Sequence, residues 1–397
     1  MELSKRAQQI SPSITLSITA KARELKDQGV DVISFGAGEP DFDTPKHIQD
    51  EGIRAIKEGF TRYTAASGIN ELKEAICTKL KKENDLEYDL GQIVISNGAK
   101  HSLYNAFLAI INPGDEVIIP VPYWVSYPEL VKLADGVPVY INLKEDNDFK
   151  IDVDELRNKI TSKTKAIILN YPNNPTGSIY NKAELTEIAE IAVENNIYVI
   201  SDEIYEKLIY DGNEHVSIAS LGKEIKDLTI LINGVSKAYS MTGWRIGYAA
   251  GNHKVIKAMS SIQSHSTSNP NSIAQKAAVA ALTGDQEPIK NMVKEFSRRR
   301  DYMVDKLNSI RGITCNKPSG AFYVMANISK FFGSTVDGRE ITNSVEFAEV
   351  LLDKGEVAVI PGSAFGTDRF VRLSYATSME NIKRGLDKIE EFVKSIE

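Results

Sequence analysis

Lys237 is the side chain of this sequence best suited to covalent chemistry. It follows the apolar run 227–232, which is predicted to be a buried strand, and a turn that contains glycine. An ammonium group held between two core elements is unusual, because a lysine side chain normally stays in water. A lysine in such a place commonly serves as an amine nucleophile that forms a Schiff base with a carbonyl compound. Arg245 follows eight residues later, before a second apolar segment, 246–251.

Three further groups that could bind or react also follow short apolar runs. The small residues of Ser96–Lys100 open a predicted helix, and free amides at a helix N-terminus bind anions such as phosphate. Asn174 lies in a proline-rich turn, and Asp202 directly follows the apolar run 198–201. Ligands of open parallel sheets bind at the carboxyl ends of the strands. We therefore expect an anion-binding turn, an amide, a carboxylate and the Lys237 amine to form one site.

The elements that must position these groups alternate regularly. Strands are predicted at 92–96, 116–120, 136–142, 166–170 and 198–201. Helices are predicted between them at 99–111, 123–134, 153–160 and 182–195. This alternation predicts an α/β fold whose parallel sheet is covered by helices on both faces.

The rest of the chain predicts a second, mixed α+β domain. Before the alternating region, helices are predicted at 13–28, 44–59 and 69–85, with a strand at 30–35. After it come helices at 271–283, 287–310 and 345–354, a strand at 320–325, two short strands and a terminal helix. We place the large domain at 45–283 and the small domain at 1–44 plus 284–397. The run Arg298–Arg300 is interpreted as the solvated face of its long helix.

Bulk composition favours a soluble enzyme of the cytoplasm. The length of 397 residues fits two domains, and the net charge of −7 disfavours partners such as nucleic acid or an anionic membrane. No apolar run reaches the roughly 18 residues of a membrane-spanning helix, and the first residues lack the apolar core of a signal peptide. The two cysteines and five scattered histidines predict neither a disulfide nor a metal site.

The segment Ser236–Arg245, SKAYSMTGWR, resembles the signature of the class I aminotransferases that use pyridoxal phosphate (PLP). The resemblance is closest to the bacterial aspartate aminotransferase branch, and it extends from about Ser11 to the last helix. It implies the aspartate aminotransferase-like fold, a homodimer, and PLP as the cofactor. It also implies ping-pong transfer of an amino group between L-aspartate, or a related amino acid, and 2-oxoglutarate.

The resemblance assigns a role to each candidate residue. Lys237 would bind PLP and move the Cα proton, Asp202 would hold the pyridine nitrogen protonated, and Tyr205 and Asn174 would contact the phenolic oxygen. The other implied cofactor contacts are Gly98, Ala99, Lys100, Trp124, Ser236, Arg245 and, across a dimer interface, Tyr63. The implied substrate contacts are Gly38, Lys100, Trp124, Asn174, Arg372 and, from the other subunit, Ser264.

Several of these residues also have plainer interpretations from the sequence alone. Tyr63 could be a surface tyrosine, Trp124 a core residue, and Gly38 part of an ordinary turn. Arg372 shares a strand face with Phe370, so it is either paired structurally or binds a carboxylate with its planar fork. Lys100 differs from these, because a cation at a helix N-terminus is better explained by an anionic partner.

Three other functions stay open. The same fold carries other PLP reactions, such as those of lyases, and an aminotransferase of this branch could prefer aromatic amino acids, other amino acids or prephenate. Ser11 stands where members that act on prephenate tend to carry a basic residue, which disfavours prephenate. A PLP-binding regulator usually has an added DNA-binding domain, for which there is no room ahead of Ser13.

Overall fold

The computed structural model describes residues 2–12 and 14–396, so the predicted first residue of the first long helix, Ser13, lies outside it. In chain order, the helices are α1 (Lys5–Gln8), α2 (Ile14–Asp27), α3 (Lys46–Lys57), α4 (Asn70–Asn84), α5 (Ala99–Ile110), α6 (Ser126–Leu133), α7 (Val153–Lys159), α8 (Lys182–Glu194), α9 (Lys223–Leu228), α10 (His253–Ser266), α11 (Ser272–Thr283), α12 (Glu287–Ser309), α13 (Ser344–Gly355) and α14 (Met379–Lys394). The strands are β1 (Ile33–Ser34), β2 (Ile93–Ser96), β3 (Glu116–Val121), β4 (Val137–Asn142), β5 (Thr164–Asn170), β6 (Tyr198–Asp202), β7 (Thr229–Gly234), β8 (Gly247–Ala250), β9 (Thr314–Cys315), β10 (Tyr323–Asn327), β11 (Thr335–Val336), β12 (Arg339–Glu340), β13 (Val357–Ala358), β14 (Ile360–Pro361) and β15 (Phe370–Ser374).

A seven-stranded sheet in the order β2-β8-β7-β6-β5-β3-β4 forms the centre of the molecule. All neighbouring pairs are parallel except those of β8, which runs antiparallel to both β2 and β7. The predicted α/β fold with a mostly parallel sheet is therefore confirmed. The exception has a simple cause: the connection 235–246 contains only a short 3-10 turn, whereas a parallel return needs a long crossover, usually a helix.

Successive residues of the sheet face opposite layers of helices. Leu231 packs in one apolar cluster with residues of α4 and α11, whereas Ile230 and Ile232 pack in another with residues of α5 and α10. All three side chains are buried, and burying an isoleucine or leucine stabilises the fold by about 1.5–3 kcal/mol. Because both faces are covered, the strands read as nearly continuous apolar runs, which explains why they could be predicted.

A second sheet, in the order β14-β15-β10-β9, is antiparallel and shares one core with α12, α13 and α14. The N-terminal segment joins it, because β1 pairs in parallel with β13 and Phe35 lies in the same core. These contacts are consistent with a small domain built from both ends of the chain. The boundaries at residues 45 and 283 stay a prediction. Among the residues described, every helix is too short or too polar to span a bilayer.

Several predicted boundaries were wrong by a few residues. The strand predicted at 320–325 is β10, shifted toward the C-terminus because Ala321 has a left-handed φ of 57° that breaks extended structure. The helix predicted at 123–134 is α6, which starts at Ser126 because the preceding residues form the turn that carries Trp124. Strand β7 starts two residues later than predicted, since α9 contains Asp227 and Leu228.

The interpretation of Arg298–Arg300 as a solvated face was also wrong. Arg299 is buried and pairs with Asp41 and Glu295. Arg300 is fully buried, pairs with Asp211 and lies 4.6 Å from the centre of the Tyr210 ring. Consecutive residues of an α-helix point about 100° apart, so three arginines in a row cannot all face solvent when the opposite face is core.

Candidate active site

A cavity of about 590 Å³ lies at the carboxyl ends of the central strands. Most of the sequence-predicted site residues line it: Gly38, Ala99, Lys100, Trp124, Asn174, Asp202, Tyr205, Ser236, Lys237, Arg245 and Arg372. The cavity thus lies at the edge where ligands of open parallel sheets bind. Arg372 lies on β15 of the second sheet, so residues from both sheets line the cavity.

Lys237 projects into the cavity from the turn that follows β7. Its Nζ donates a hydrogen bond to the carbonyl oxygen of Gly38 at 2.5 Å. The surrounding protein removes water from the ammonium group and lowers its pKa to about 8, an effect that the charges of Glu39 and Asp202 oppose and those of Arg372 and Arg245 reinforce. A lysine with this pKa is partly a neutral amine near neutral pH, as a nucleophile must be.

Asp202 ends β6 and is buried beside Lys237. Its Oδ2 accepts a hydrogen bond from the Tyr127 hydroxyl at 2.8 Å, and its Oδ1 accepts one from the Ile204 amide at 3.3 Å. Burial raises the pKa of Asp202 to about 6, although both hydrogen bonds oppose the rise. A cationic group placed against this carboxylate would keep it ionised. Tyr127 is not among the residues predicted from the sequence. Its position three residues after Trp124 could have indicated it, because its ring contacts the Trp124 ring edge-on at 5.3 Å.

Tyr205 reaches the cavity from the turn that follows β6. Residues 203–206 form a turn closed by a hydrogen bond from the Glu206 amide to the Glu203 carbonyl, rather than a turn of α-helix. The Tyr205 hydroxyl lies 3.0 Å from the hydroxyl of Tyr323 on β10. Burial raises the pKa of Tyr205 well above its ordinary value. Tyr323 was also missed, because a tyrosine in a buried strand has no distinguishing sequence pattern.

Arg372 is a buried guanidinium group that pairs with no carboxylate in the described part of the chain. It donates to the Asn174 side-chain oxygen at 3.0 Å and to the Gly36 carbonyl at 3.1 Å, and it lies 4.4 Å from the centre of the Tyr323 ring. Its Nε has no hydrogen-bond partner, and it makes no ion pair with any residue that the structure describes. Of the two interpretations from the sequence, a structural ion pair is therefore not observed. Because an unpaired buried charge is costly, this site favours an incoming carboxylate.

The turn at Ser96–Lys100 and Arg245 together form a positively charged cup. Gly98 has a φ of 87°, and a Cβ there would lie 2.2 Å from a guanidinium nitrogen of Arg245, so only glycine permits this approach. Arg245 donates to the carbonyls of Asn97 and Thr242 and to no carboxylate among the described residues. The first amides of α5 have no acceptor within the helix, and they add to the positive potential of the cup.

Lys100 and Trp124 form one wall of the cavity. The Lys100 Nζ lies 4.8 Å from the centre of the Trp124 ring, and burial together with the charge of Arg245 lowers the pKa of Lys100. The lysines and arginines that line the cavity are Lys100, Lys237, Arg245 and Arg372, and its carboxylates are Asp202 and Glu39. Glu39, missed from the sequence, accepts a hydrogen bond from Thr242 at 2.6 Å. The excess of positive charge fits ligands that carry several negative charges.

Three sequence-predicted residues do not line this chain's cavity: Gly98, which lies against Arg245 in the cup, and Tyr63 and Ser264. The side chain of Tyr63 is 90% exposed, and Ser264 is exposed on α10, where its hydroxyl donates to the Ser261 carbonyl. Tyr63 and Ser264 are both expected to act on another subunit, and their roles stay predictions.

Comparisons with known proteins agree with this geometry. Residues 30–389 match the family model described as aminotransferase class I and II. The chain is 52% identical over 392 residues to an aspartate aminotransferase of Bacillus sp. (strain YM-2), covering 99% of both chains. It is 49% identical over 389 residues to a probable aspartate/prephenate aminotransferase of Rickettsia bellii (strain RML369-C), covering 98% of each. The crystal structure of an aspartate aminotransferase from Rhizobium meliloti superposes with a TM-score of 0.97 at 42% identity, covering all of both chains.

The convergence of these residues in one cavity and the full-length similarity lead to one conclusion: the chain belongs to the class I and II aminotransferases, a family of PLP-dependent enzymes.

Proposed function

We propose that this aminotransferase moves an amino group from L-aspartate to 2-oxoglutarate, with bound PLP as the carrier. One observation carries the proposal: a lysine with a lowered pKa and a buried arginine that has no counter-ion among the described residues face the same cavity. The lysine supplies the amine, and the arginine supplies a site for the carboxylate that every amino acid and oxo acid contains.

The residues of the cavity fit PLP. When bound, PLP supplies an aldehyde that takes up the amino group and a ring that stabilises the negative charge at Cα. Lys237 would hold the aldehyde carbon, and the cup formed by Gly98, Ala99, Ser236 and Arg245 would hold the phosphate. Asp202 would pair with the protonated ring nitrogen, and this pairing would offset the cost of burying the Asp202 carboxylate charge. Tyr205 and Asn174 would contact the phenolic oxygen, and Trp124 would pack on the ring.

The chain's own groups then position the substrate and move one proton. Arg372 would bind the α-carboxylate through two parallel hydrogen bonds, assisted by Asn174 and the backbone of Gly38. Lys237, freed as a neutral amine when the substrate amino group replaces it on the aldehyde carbon, would remove the proton from Cα and deliver it to that carbon of the cofactor. Asp202 would hold the proton on the ring nitrogen throughout.

The distal carboxylate of aspartate would bind to Lys100. Its ammonium group stands at the N-terminus of α5 without a carboxylate partner among the described residues, and that position is electrostatically unfavourable unless an anion binds there. Ser264 of the partner subunit would assist the Lys100 of this chain in binding that carboxylate. The relatives' names support aspartate as a substrate, and one of them also supports prephenate as a second candidate.

The test of the proposed function is direct. Purified protein supplied with PLP, aspartate and 2-oxoglutarate should form oxaloacetate and glutamate in equal amounts. Release of ammonia or CO₂ without glutamate would instead indicate a lyase or decarboxylase. PLP binding without turnover would indicate a regulator, and a much higher kcat/KM for glutamate plus prephenate would favour the second candidate.

Lys100 is exposed to the cavity, where bound aspartate would cover it. Replacing Lys100 with alanine should then reduce kcat/KM for aspartate by roughly 30-fold or more, because truncating one partner of a charge pair buried in this way costs about 2–5 kcal/mol. Alanine and aromatic donors, which lack the distal carboxylate, should change little, and they serve as the internal control. Steady-state kinetics with the three donors checks this. Equal losses for all donors would show that Lys100 supports the cofactor, and the assignment of aspartate would then fall.

We also propose that the enzyme is a homodimer in the cytoplasm, with the large domain at 45–283. The exposed side chains of Ile53, Ile56 and Tyr63 support an interface on this side of the molecule, since large apolar side chains together on a surface often mark a partner. A dimer of this kind should bury about 1,200 Å² or more. Both cysteines are free thiols, which suits a reducing compartment.

Mixing two inactive variants should restore activity if Tyr63 completes the partner's site. A dimer of one Lys237→Ala subunit and one Tyr63→Ala subunit contains one site with both residues intact. Random exchange should therefore give about a quarter of the wild-type activity, as the two-fold symmetry of the dimer requires. Activity measured after exchange, with subunit mixing verified by mass, checks this. Failure to recover activity in verified hybrids would mean that each site is built from a single chain.

A further inference from the structure

The turn that follows β6 presents side chains to two opposite sides. Asp202 and Tyr205 face the cavity, whereas the side chain of Glu206 points into the protein behind it and is only 8% exposed. Nothing in the proposed chemistry uses Glu206. A carboxylate buried to this extent needs a reason, because burial without partners would keep it protonated.

Both oxygens of Glu206 have buried partners from two other elements. Its Oε1 accepts hydrogen bonds from Lys79 on α4 and, at 2.7 Å, from the side-chain amide of Asn233 on β7. Its Oε2 accepts one from Asn84 at 2.8 Å, and Asn84 also accepts one from Lys79 at 2.7 Å. Although burial alone would raise the pKa of Glu206, the charges of Lys79 and the nearby His215 and these hydrogen bonds lower it to about 2. The carboxylate is therefore ionised at all working pH values.

The bond to Asn233 connects this turn to the segment that carries Lys237. The Asn233 side-chain oxygen accepts a hydrogen bond from the Gly234 amide at 2.7 Å, so the side chain holds the end of β7. A Cβ on Gly234 would lie 2.8 Å from the Ile246 carbonyl, so this backbone is already packed against the neighbouring strand. Only two residues separate Gly234 from Lys237. The Glu206 carboxylate thus links the turn that directly follows Asp202 to the segment that carries Lys237.

We propose that Glu206 is a positioning residue, which through Asn233 fixes the distance between the Asp202 carboxylate and the Lys237 amine. The inference rests on the proposed function, in which these two groups hold opposite ends of the same cofactor ring. A misplacement of about 1 Å at reacting groups can cost about 100-fold in rate. The pairing of β6 with β7 ends at Asp202 and Ile232 and at a hydrogen bond from the Glu203 amide to the Ile232 carbonyl at 2.9 Å, and the Glu206–Asn233 bond adds a side-chain link beyond that end.

Two variants and a matched control test the inference. Glu206→Gln removes the charge, and Asn233→Ala removes the link to the strand but keeps the ion pair with Lys79. Glu83→Gln is the control: Glu83 pairs with the same lysine at 3.7 Å and with Lys207 at 2.7 Å, but it makes no hydrogen bond to Asn233 and so does not join the two turns. The readouts are the Kd for PLP of the apo-protein, the pKa of the visible absorbance of the bound cofactor, kcat and KM for aspartate, and the Tm of the apo-protein.

Glu206→Gln and Asn233→Ala should each raise the Kd for PLP roughly 10- to 100-fold, shift the pKa of the visible band, and lower kcat more than they raise KM. The control should change each quantity by less than about twofold on the same scale. A fall in Tm with unchanged Kd, band pKa and kcat would show a purely structural role and overturn the inference. If Glu206→Gln does not fold, Asn233→Ala decides alone. Wild-type protein that binds no PLP would overturn the proposed function itself. Wild-type protein that binds PLP normally, together with variants that are also unaffected, would overturn only the positioning role of Glu206.

Discussion

Replacing Lys237 with alanine is expected to abolish transamination and the visible absorbance of bound PLP. Lys237 combines a lowered pKa with a place on a rigid turn, and the other primary amine of the cavity, Lys100, lies against Trp124 on another wall. No second amine among the cavity residues can therefore take over its covalent role. Because the same group also moves the Cα proton, and general acid–base catalysis alone contributes roughly 10²- to 10⁴-fold, the loss in kcat should be at least about 10⁴-fold.

The measurements are the absorbance spectrum of the PLP-loaded protein and single-turnover kinetics with aspartate. Lys100→Ala is the matched control, since it removes an amine from the same cavity and should keep the spectrum of the wild type. PLP should still bind to the Lys237 variant, because the cup at Ser96–Lys100 and Arg245 would hold its phosphate. Its spectrum should be close to that of the free aldehyde. A variant that keeps both the visible band and turnover would contradict the central role of Lys237.

The parts of this site that could be predicted are those delivered by the ends of strands. Lys237, Asp202 and Asn174 each follow an apolar run, and the edge at which parallel strands end is fixed by chain direction alone. The position of Lys100 could be predicted from its unfavourable place at a helix N-terminus. Such features are local in sequence, so a single chain contains enough information to find them.

The parts that could not be predicted depend on contacts between distant segments. Tyr127 and Tyr323 have no pattern that separates them from the other buried tyrosines, and their roles arise only from hydrogen bonds to Asp202 and Tyr205. Arg300 was assigned to solvent because its partner Asp211 lies far away in sequence. The reversed direction of β8 follows from the length of a connection rather than from its composition.

Replacing Asp202 with asparagine should leave PLP binding largely intact but reduce kcat by roughly 10²- to 10⁴-fold, the range for losing a group that stabilises charge or a proton in the transition state. The phosphate cup and Lys237 are unchanged, so the cofactor stays anchored. A neutral amide, however, cannot hold the ring nitrogen in its protonated form, which is the role proposed for this buried carboxylate. Asp202→Glu, which keeps the charge, is the matched control, and near-normal turnover of the asparagine variant would mean that Asp202 is structural.

The same substitution should have a distinct effect on the apo-protein. Burial raises the pKa of Asp202 from an ordinary value of 3.8 to about 6, so between these pH values the folded apo-protein binds more protons at this site than the unfolded chain does. Its free energy of unfolding should therefore fall as pH rises through this window, and the asparagine variant should lack this contribution. Thermal unfolding of both apo-proteins checks this: the Tm of the variant relative to wild type should increase from pH 4 to pH 7. A difference in Tm that does not change with pH would contradict a raised pKa at Asp202. It would also remove the support that this raised pKa gives to a cationic ligand beside the carboxylate.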